Sequence, residues 1–550
     1  MYKEVRGLHQ AAYILALFAI GSQILAVVRD RLLAHLFGAG SELDLYYAAF
    51  RIPDLMFVLF ASVLSVYVLL PFVSRYTEEG GAKSGAAVIT QVFTLFLCLY
   101  SVIALVLAFT ASWYVPLLFP GFIAQADLLS TLVQILMFQA CLLGVSSLCG
   151  VITQIGHRFV LYAISPLLYN LSIIFGVVLL YPYFGLSGLV TGVVLGALLH
   201  LLVQVPFVLR SEYRFGVTKL FDWKLMKEVL AVSIPRALTL SLNQIVLLVL
   251  TSIASTMVAG SVAVFQFAFN LQSVPLAVIG MSYSVAAFPT LSTLLAKKKI
   301  QEFNHQLLTA LRHIIFWAVP ITALVIVLRA QIVRVLLGSG AFDWSDTRLT
   351  AAALALFVIS LIAQAILLLL VRAFYAGGHA FLPLVVATLT SGFSVALAFL
   401  FHSLYYSTEI FKHTLEQAFR LNGVAGTQIL VLILAFTIGQ FLQLILLMIL
   451  SRKIYDINYR RLWRLLAQSL VAAAAGGISA YVALVFVVDG INQNTFIGIT
   501  LQGLVAGLMG LTAIVLVYRL FKSEELFEIY RSFHSKIFKT DIIAPQPDTL

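Results

Sequence analysis

Long apolar segments follow one another along the chain of 550 residues, from near its start to near its end. Each extends over roughly 20 to 30 residues, the length of a helix that crosses a bilayer. Hydrophobic residues make up 62% of the chain, and charged residues only 10%. Because every backbone polar group in hydrocarbon must be paired internally, these segments predict α-helices. The predicted fold class is therefore an all-α polytopic membrane protein.

About fourteen segments are candidates for transmembrane helices. They lie at roughly 9–36, 43–74, 85–118, 126–155, 159–182, 186–209, 225–258, 261–295, 303–337, 349–376, 380–405, 425–451, 463–488 and 495–520. Several exceed the ~20 residues that a bilayer requires, which predicts tilted or kinked helices.

The positions of the basic residues predict the orientation. With the N-terminus placed in the cytoplasm, most of the 34 Lys and Arg residues fall in inner connections. An even number of spans then puts both termini in the cytoplasm. The net charge of +11 is mostly this orientation signal, so we expect no nucleic-acid partner.

Short features recur along the chain at a nearly constant spacing. The recurring pairs are Pro71 with Pro289, Gly121 with Gly340, and His157 with His379, which are 218, 219 and 222 residues apart. The same order and orientation predict two six-helix lobes in a parallel repeat, at 1–210 and 211–452. A helix pair at 453–522 is appended, and 523–550 forms a cytoplasmic amphipathic segment and tail. Paired lobes commonly enclose a central cavity, which favours a transporter over a membrane enzyme.

Charged residues interrupt the first two predicted spans, where Arg29, Asp30, Arg51 and Asp54 lie. A charge at membrane depth costs at least ~2.5 kcal/mol, so it usually faces a cavity or a partner. Arg29 and Arg51 are expected about 10 to 12 Å below the outer surface, and Arg236 in span 7 about 16 Å from the inner one. Together they predict a staggered cationic path.

Ion pairing within the membrane is the alternative role for these charges. Asp30 can pair with Arg31 or orient a neighbouring helix, and Asp54, three residues after Arg51, can neutralise it. Arg29 and Arg31 are about 200° apart on a helix, so at most one of them faces a cavity, and we favour Arg29.

Arginine is the side chain best matched to a phosphorylated cargo. Its planar fork replaces the hydration shell of a diphosphate with charge-assisted, bidentate hydrogen bonds. In span 8, Asn270 and Gln272 are polar enough to bind sugar or amide groups, or to join helices. These residues predict an anionic substrate.

Two stretches carry a family resemblance, VRDRLLAHLFGAGSELDLYYAAFRIPDL at 28–55 and FNLQSVPLAVIGMSYSVAAFPTLS at 269–292. They resemble the MurJ (MviN) family of lipid II flippases in the MOP transporter superfamily. The resemblance implies fourteen helices, two lobes around a cationic cavity and a final helix pair lining a hydrophobic groove. It also implies alternating-access transfer of the undecaprenyl-diphosphate-linked peptidoglycan precursor across the bacterial cytoplasmic membrane.

The family motif matches Arg29, Asp30, Asp44 and Arg51, and six positions depart from it. Gln23 and Asn270 stand where many members have arginine. The usual basic pair is replaced by Phe57 and Val58, and a glutamate-glycine pair by Ser62 and Val63, so a less cationic cavity is expected. Some relatives couple transport to a cation, but spans 7 to 12 contain no Asp or Glu within their apolar runs. The membrane potential, or protonation of Asp30 or Asp54, remains as the driving force.

The predicted site follows from these residues. The substrate-binding residues are Arg29, Arg51 and Arg236, and the supporting or gating residues are Asp30, Asp44, Asp54, Asn270 and Gln272. We expect no enzymatic activity, cofactor or metal, and a polyprenyl-diphosphate-linked glycan lipid as partner. One alternative is a MOP exporter of another polyprenyl-linked oligosaccharide or of small drug cations. Another is an intramembrane enzyme acting on lipid-linked sugar, for which Asp30 and Asp54 are the available carboxylates.

Overall fold

The computed structural model describes residues 8–61, 66–156, 158–213, 215–487, 492 and 495–537. Over these residues the chain is helical and contains no β-strand. His157 and residues 538–550 of the predicted tail lie outside the described residues.

The first helices are α1 (Leu8–Phe37), α2 (Ser41–Ala49), α3 (Arg51–Ala61), α4 (Val66–Phe109), α5 (Ala111–Leu118), α6 (Ala126–Ile155), α7 (Phe159–Phe175), α8 (Tyr181–Leu202) and α9 (Val205–Arg210). They are followed by α10 (Trp223–Ser255), α11 (Ser261–Leu276), α12 (Ser282–Ala296), α13 (Ile300–Leu336), α14 (Trp344–Ala376) and α15 (Phe381–Ser407). The last are α16 (Glu409–Phe419), α17 (Ile429–Tyr455), α18 (Arg460–Val482), α19 (Phe496–Leu520) and α20 (Glu524–Ile537). Short π-helical segments at Gly176–Leu180, Ala277–Met281 and Ala483–Val487 continue α7, α11 and α18.

Eleven helical segments in the described part of the chain are long and apolar enough to cross a membrane. They confirm the all-α polytopic class. One of them, Phe159–Arg210, is a run of 52 residues that covers two predicted spans. Its helical geometry is interrupted at Gly185, where φ is +57°. The total of fourteen spans stays a prediction.

The predicted second span is divided in the structure, because α2 ends at Ala49 and α3 begins at Arg51. Pro53 has no backbone N–H, so it cannot donate to the carbonyl of Ala49 four residues earlier. The helical pattern resumes with Asp54, whose N–H donates to the carbonyl of Phe50 at 2.8 Å. Arg51 therefore lies in the first turn of a new helix.

The chain forms two compact units. The first comprises Met1–Asn270, Leu336–Ala353 and Ala380–Gly439, and the second comprises Leu271–Val335, Leu354–His379 and Gln440–Leu550. In the first unit, α6 packs against α3, α4 and α8, and α1 packs along α7. The division into lobes at 210 and 452 stays a prediction.

In the second unit, α18 and α19 pack against each other and against α13. Glycines let α19 approach α13, since a Cβ at Gly507 would lie 3.4 Å from Leu328. Further along, the ring of Tyr518 stacks on Phe316 with centroids 4.2 Å apart. The Tyr518 hydroxyl donates to the Phe316 carbonyl and to Ser469, each at 2.9 Å. The register shows that α19 runs antiparallel to α13.

Candidate functional site

Arg29 lies on α1, eight residues before Phe37, or about 12 Å from the end of the helix. Its Nε and Nη2 both donate to Oδ1 of Asp30, at 2.9 and 2.8 Å. Its Nη1 donates to Oδ1 of Asn170 on α7 at 3.0 Å. The ion pair is largely buried, with side chains 20% and 12% exposed. Asp30 therefore pairs with Arg29, and the expected pairing with Arg31 stays a prediction.

Arg51, at the start of α3, is only 5% exposed and binds neutral groups. Its Nε donates to Oγ1 of Thr251 on α10 at 2.7 Å, and its Nη2 donates to Oε1 of Gln266 on α11 at 2.8 Å. Asp54 lies one turn further along α3 and is half-buried. Within the described ranges, no carboxylate forms an ion pair with Arg51. Asp54 therefore makes no direct salt bridge to Arg51, although the two charges lie near each other. Neutralisation of Arg51 by Asp54 stays a prediction.

A bridge of side-chain amides joins the two arginines. Gln266 donates from Nε2 to Oδ1 of Asn270 at 2.7 Å, and Asn270 donates from Nδ2 to Oδ2 of Asp30 at 3.0 Å. Gln266 and Asn270 are one turn apart, so they lie on the same face of α11. We call Arg29, Asp30, Asn270, Gln266 and Arg51 the arginine network. Each link has one donor and one acceptor. The bonds lead from Arg51 through Gln266 and Asn270 to the Asp30 carboxylate, which also accepts from Arg29.

The arginine network contains two guanidinium groups and one carboxylate, and Asp54, three residues along α3 from Arg51, adds a second carboxylate nearby. Hydrogen bonds to neutral groups offset part of the cost of burying Arg51. Tyr47 on α2 packs against Phe267 of α11, with ring centroids 5.8 Å apart. Its buried hydroxyl makes no hydrogen bond to any described residue. The site thus combines a guanidinium that is bonded only to neutral groups with a buried polar group that has no partner, an arrangement that an anionic ligand can complete.

Arg236 and Gln272 lie elsewhere. Arg236 is half-buried on α10, fifteen residues before Thr251, a distance of about 22 Å along the helix axis. Gln272 belongs to the second unit, where it is fully buried and donates to Oε1 of Gln364 at 3.5 Å. Of the three predicted arginines, the structure joins Arg29 with Arg51 and separates Arg236 from them.

Asp44 holds the start of α11. Its carboxylate accepts hydrogen bonds from the backbone N–H groups of Gly260 at 2.6 Å and Ala263 at 2.8 Å. A helix N-terminus presents unpaired N–H groups and partial positive charge, both of which a carboxylate satisfies. Since α11 carries Gln266 and Asn270, Asp44 acts as a positioning residue for the arginine network.

Two glycine loops close over the ends of α1 and α10. Gly340 has φ of +59°, and a Cβ there would overlap the carbonyl of His35, near the end of α1. A Cβ on Gly121 would overlap the carbonyl of Ser255, the last residue of α10. Ala341 also donates to the His35 carbonyl at 2.9 Å. We call the contacts of Gly121 with Ser255 and of Gly340 with His35 the glycine seal.

The two contacts of the glycine seal are separated by nearly the same number of residues. Gly121 and Gly340 are 219 residues apart, and the helix ends that they contact differ by a similar spacing. Gly121, from the first half of the chain, therefore packs on a helix of the second half. Gly340, from the second half, packs on a helix of the first half. Thr251 lies one turn from the end of α10, and Arg29 about two turns from the end of α1, so the seal closes directly over the arginine network.

Four contributors were not anticipated from the sequence: Asn170, Thr251, Gln266 and Tyr47. Gln266 could have been found, because it lies four residues before Asn270 in an apolar helix, and two amides at that spacing share a face. Thr251 gives no such signal, since a threonine in a membrane helix commonly bonds its own backbone. Thr251 does this too, donating to the carbonyl of Leu247 at 2.8 Å.

A multi-pass helical chain with buried arginines linked by hydrogen bonds beneath a backbone seal is typical of a membrane transporter. The family model described as lipid II flippase MurJ matches residues 33–501. The chain belongs to this family.

Curated relatives are similar in sequence to this chain over about two thirds of its length. The probable lipid II flippase MurJ of Buchnera aphidicola subsp. Baizongia pistaciae is 25% identical over 370 residues, which cover 66% of this chain and 71% of the relative. The lipid II flippase MurJ of Burkholderia cenocepacia is 26% identical over 368 residues, covering 65% and 71%. The probable lipid II flippase MurJ of Thermotoga maritima is 25% identical, covering 69% and 77%.

Solved structures share the fold. A lipid II flippase MurJ in an inward closed conformation superposes with a TM-score of 0.70 at 21% identity, covering 92% of this chain and 99% of that one. An inward-facing multidrug resistance MATE transporter of the MOP superfamily gives a TM-score of 0.59 at 15% identity, covering 79% and 96%. The fold is thus common to transporters of different cargo, and the choice of cargo depends on the site.

Proposed function

We propose that the protein moves lipid II, the undecaprenyl-diphosphate-linked peptidoglycan precursor, across the cytoplasmic membrane. Its diphosphate binds Arg29, Arg51 and Arg236, and the polyprenyl tail stays in lipid. The observation that carries this proposal is the arginine network, in which the buried guanidinium of Arg51 is bonded only to neutral groups. Membership of the lipid II flippase family supports the choice of cargo.

Arg51 is the group that exchanges its partners for the diphosphate. It donates to the neutral oxygens of Thr251 and Gln266, whereas Arg29 is held by the carboxylate of Asp30. Both arginines are ionised donors, but only in the Arg29–Asp30 pair is the acceptor charged as well, so Coulomb attraction adds to its hydrogen bonds. A phosphate oxygen therefore replaces Thr251 and Gln266 more readily than it replaces Asp30. Arg29 stays bound to Asp30, and its remaining N–H groups donate to the diphosphate.

Arg236 provides a second station for the diphosphate. It lies about 22 Å from Thr251 along α10, so a cargo passing from one to the other crosses most of a ~30 Å hydrocarbon core. We place both termini in the cytoplasm and the glycine seal on the outer side. Binding energy at the arginine network then opens the seal, which releases the head group outward by alternating access.

Export of small drug cations is the main alternative, because MATE transporters share the fold. A cation would be repelled by the two buried guanidinium groups of the arginine network. An intramembrane enzyme would need a free carboxylate pair, whereas Asp30 is engaged by Arg29 and Asn270. The arginines therefore disfavour a cationic cargo, and the engagement of Asp30 disfavours the enzyme.

Complementation tests the proposal. A bacterial strain depleted of its own lipid II flippase is supplied with this chain, or with Arg29→Glu, Arg51→Gln or Arg236→Glu variants at matched membrane levels. The wild type should restore growth and the three variants should not, whereas Arg452→Gln, at an exposed position at the end of α17, should behave as the wild type. If the wild type does not restore growth although it inserts at normal levels, the assignment of lipid II as its cargo is wrong. Full growth of the Arg29→Glu and Arg51→Gln variants overturns the role of the network.

A further inference from the structure

Asp54 differs from the other carboxylates near the arginine network in its hydrogen bonds. The Asp30 carboxylate accepts from Arg29 and Asn270, and Asp44 accepts from two backbone N–H groups. No described residue donates a hydrogen bond to the side chain of Asp54, which is half-buried on α3. A carboxylate at membrane depth that lacks donors is costly to keep ionised, and a proton is the simplest group that neutralises it.

The neighbours of Asp54 place it at the arginine network. Arg51 and Asp54 are three residues apart on α3, so they share one face of the helix. Tyr46 on α2 lies near both Asp54 and Arg29. Tyr169 on α7 lies near the same two groups. On α6 and α10, which also pack against α3, no described charged group acts on Asp54. Among the described groups, Arg51 is therefore the charge that acts on Asp54 most directly.

The charge of the site depends on the protonation of Asp54. When Asp54 is ionised, two guanidinium groups face two carboxylates, and the site is neutral overall. When Asp54 is protonated, one positive charge is left over at Arg51, whose hydrogen-bond partners are neutral. An ionised Asp54 repels a diphosphate that approaches Arg51. A protonated Asp54 does not repel the diphosphate, and its O–H can donate to a phosphate oxygen.

We propose that Asp54 takes up a proton from water when the diphosphate of the cargo binds Arg51, so that the proton and the anion bind cooperatively. The inference rests on the proposed function and adds a second ligand, the proton, to the same site. One O–H bond forms on the Asp54 carboxylate, and the proton comes from hydronium or a buffer acid. By linkage, an anion that binds the protonated form better draws protons to Asp54, and protons in turn strengthen its binding. Asp30 does not take this role, because Arg29 and Asn270 hold its carboxylate in the ionised form.

Isothermal titration calorimetry of lipid II binding to the full chain in detergent tests the proton uptake. The titration is run near neutral pH in two buffers of different ionisation enthalpy, and the difference between the two heats gives the number of protons taken up. The wild type should take up more protons per lipid II than Asp54→Asn, which has nearly the same shape and no charge. Ionisation of the diphosphate itself is common to both proteins. Relative to Asp54→Asn, the affinity of the wild type should fall by up to about tenfold for each unit of rising pH, the slope that uptake of one proton gives.

Variants separate the proton site from the cargo assignment. Asp127→Asn, at an exposed position in the first turn of α6, is the matched control and should show the wild-type uptake. Asp54→Ser provides a second neutral side chain and should behave as Asp54→Asn. Equal proton uptake by the wild type and both neutral variants overturns this inference and leaves lipid II as the cargo. If the folded wild type does not bind lipid II at all, the proposed function is overturned, and this inference with it.

Discussion

Asn270 donates a hydrogen bond to Asp30 at 3.0 Å, across 240 residues of sequence. This contact joins α11 to α1 and completes the path from Arg29 to Arg51. As an amide, Asn270 satisfies one oxygen of the Asp30 carboxylate without adding a positive charge to the site.

The contact between Asn270 and Asp30 should be needed for both stability and transport. In Asn270→Ala, one oxygen of a buried carboxylate loses its donor, which costs about 1.5 to 3 kcal/mol. We expect a lower midpoint of thermal unfolding in detergent and weaker complementation. Asn270→Arg restores a donor and should recover stability better than Ala. Equal unfolding midpoints for wild type and Asn270→Ala would show that the network does not stabilise the fold.

Thr251 should matter through the guanidinium of Arg51. Thr251→Val leaves Nε of Arg51 buried without an acceptor, at a cost of about 1 to 3 kcal/mol. Thr239→Val on the same helix is the control, because Thr239 bonds the carbonyl of Pro235 four residues earlier. Urea or thermal unfolding of the two variants should show a clear loss only at position 251. A matching loss at position 239 would contradict this account.

The fork of Arg51 should not be replaceable by lysine. Arg51 reaches Thr251 and Gln266 with two different nitrogens of one planar group, whereas lysine has a single ammonium on a flexible stem. Arg51→Lys should therefore complement poorly although its charge is unchanged. Growth at the wild-type rate would mean that charge alone suffices at this position.

Alanine at the glycine seal should prevent its closure. In Gly340→Ala the left-handed backbone costs about 1 to 2 kcal/mol, and the new Cβ overlaps the carbonyl of His35. Gly121→Ala meets the carbonyl of Ser255 without the backbone strain. We expect both to lower complementation and thermal stability, because in each case the new Cβ overlaps a backbone carbonyl. Gly392→Ala, with no atom within 4 Å, should be neutral or stabilising.

Docking of α20 on α13 should weaken in acid. Arg312 on α13 donates from Nε to Glu525 at 2.7 Å and from Nη2 to Glu524 at 2.6 Å. Burial by itself raises the pKa of Glu525, but the hydrogen bond from Ser523 and the charge of Arg312 outweigh it, so the pKa lies below its usual ~4.3. The folded-state pKa is thus below the unfolded one. The stabilisation is present above the unfolded pKa and is lost as pH falls through the folded pKa.

Exchange of the α20 amides in phosphatidylcholine nanodiscs should therefore accelerate below about pH 4, after correction for the intrinsic rate. Glu525→Gln should exchange faster at neutral pH and lose most of this pH dependence. An unchanged pH profile in that variant would assign the effect to Glu524 or Glu528.

The sequence by itself determined the class of the molecule. Apolar runs of helical length are a local property of the sequence. Each of them forms a helix, because backbone polar groups in a bilayer must be paired within the segment. The charges at Arg29, Asp30 and Arg51 were also visible, because a charge within such a run is costly wherever the helix packs. Helix interruption at Pro53 follows equally from local chemistry, although only the structure showed where α3 begins.

Tertiary packing decided which partners these charges have. Spacing along one helix offered only partners from the same helix, whereas Arg29 also bonds Asn170, and Arg51 bonds Thr251 and Gln266. Those two partners lie 200 and 215 residues away, on α10 and α11. Hydrogen bonds act over about 3 Å, so they depend on how distant helices meet, and no pattern within one helix specifies that meeting.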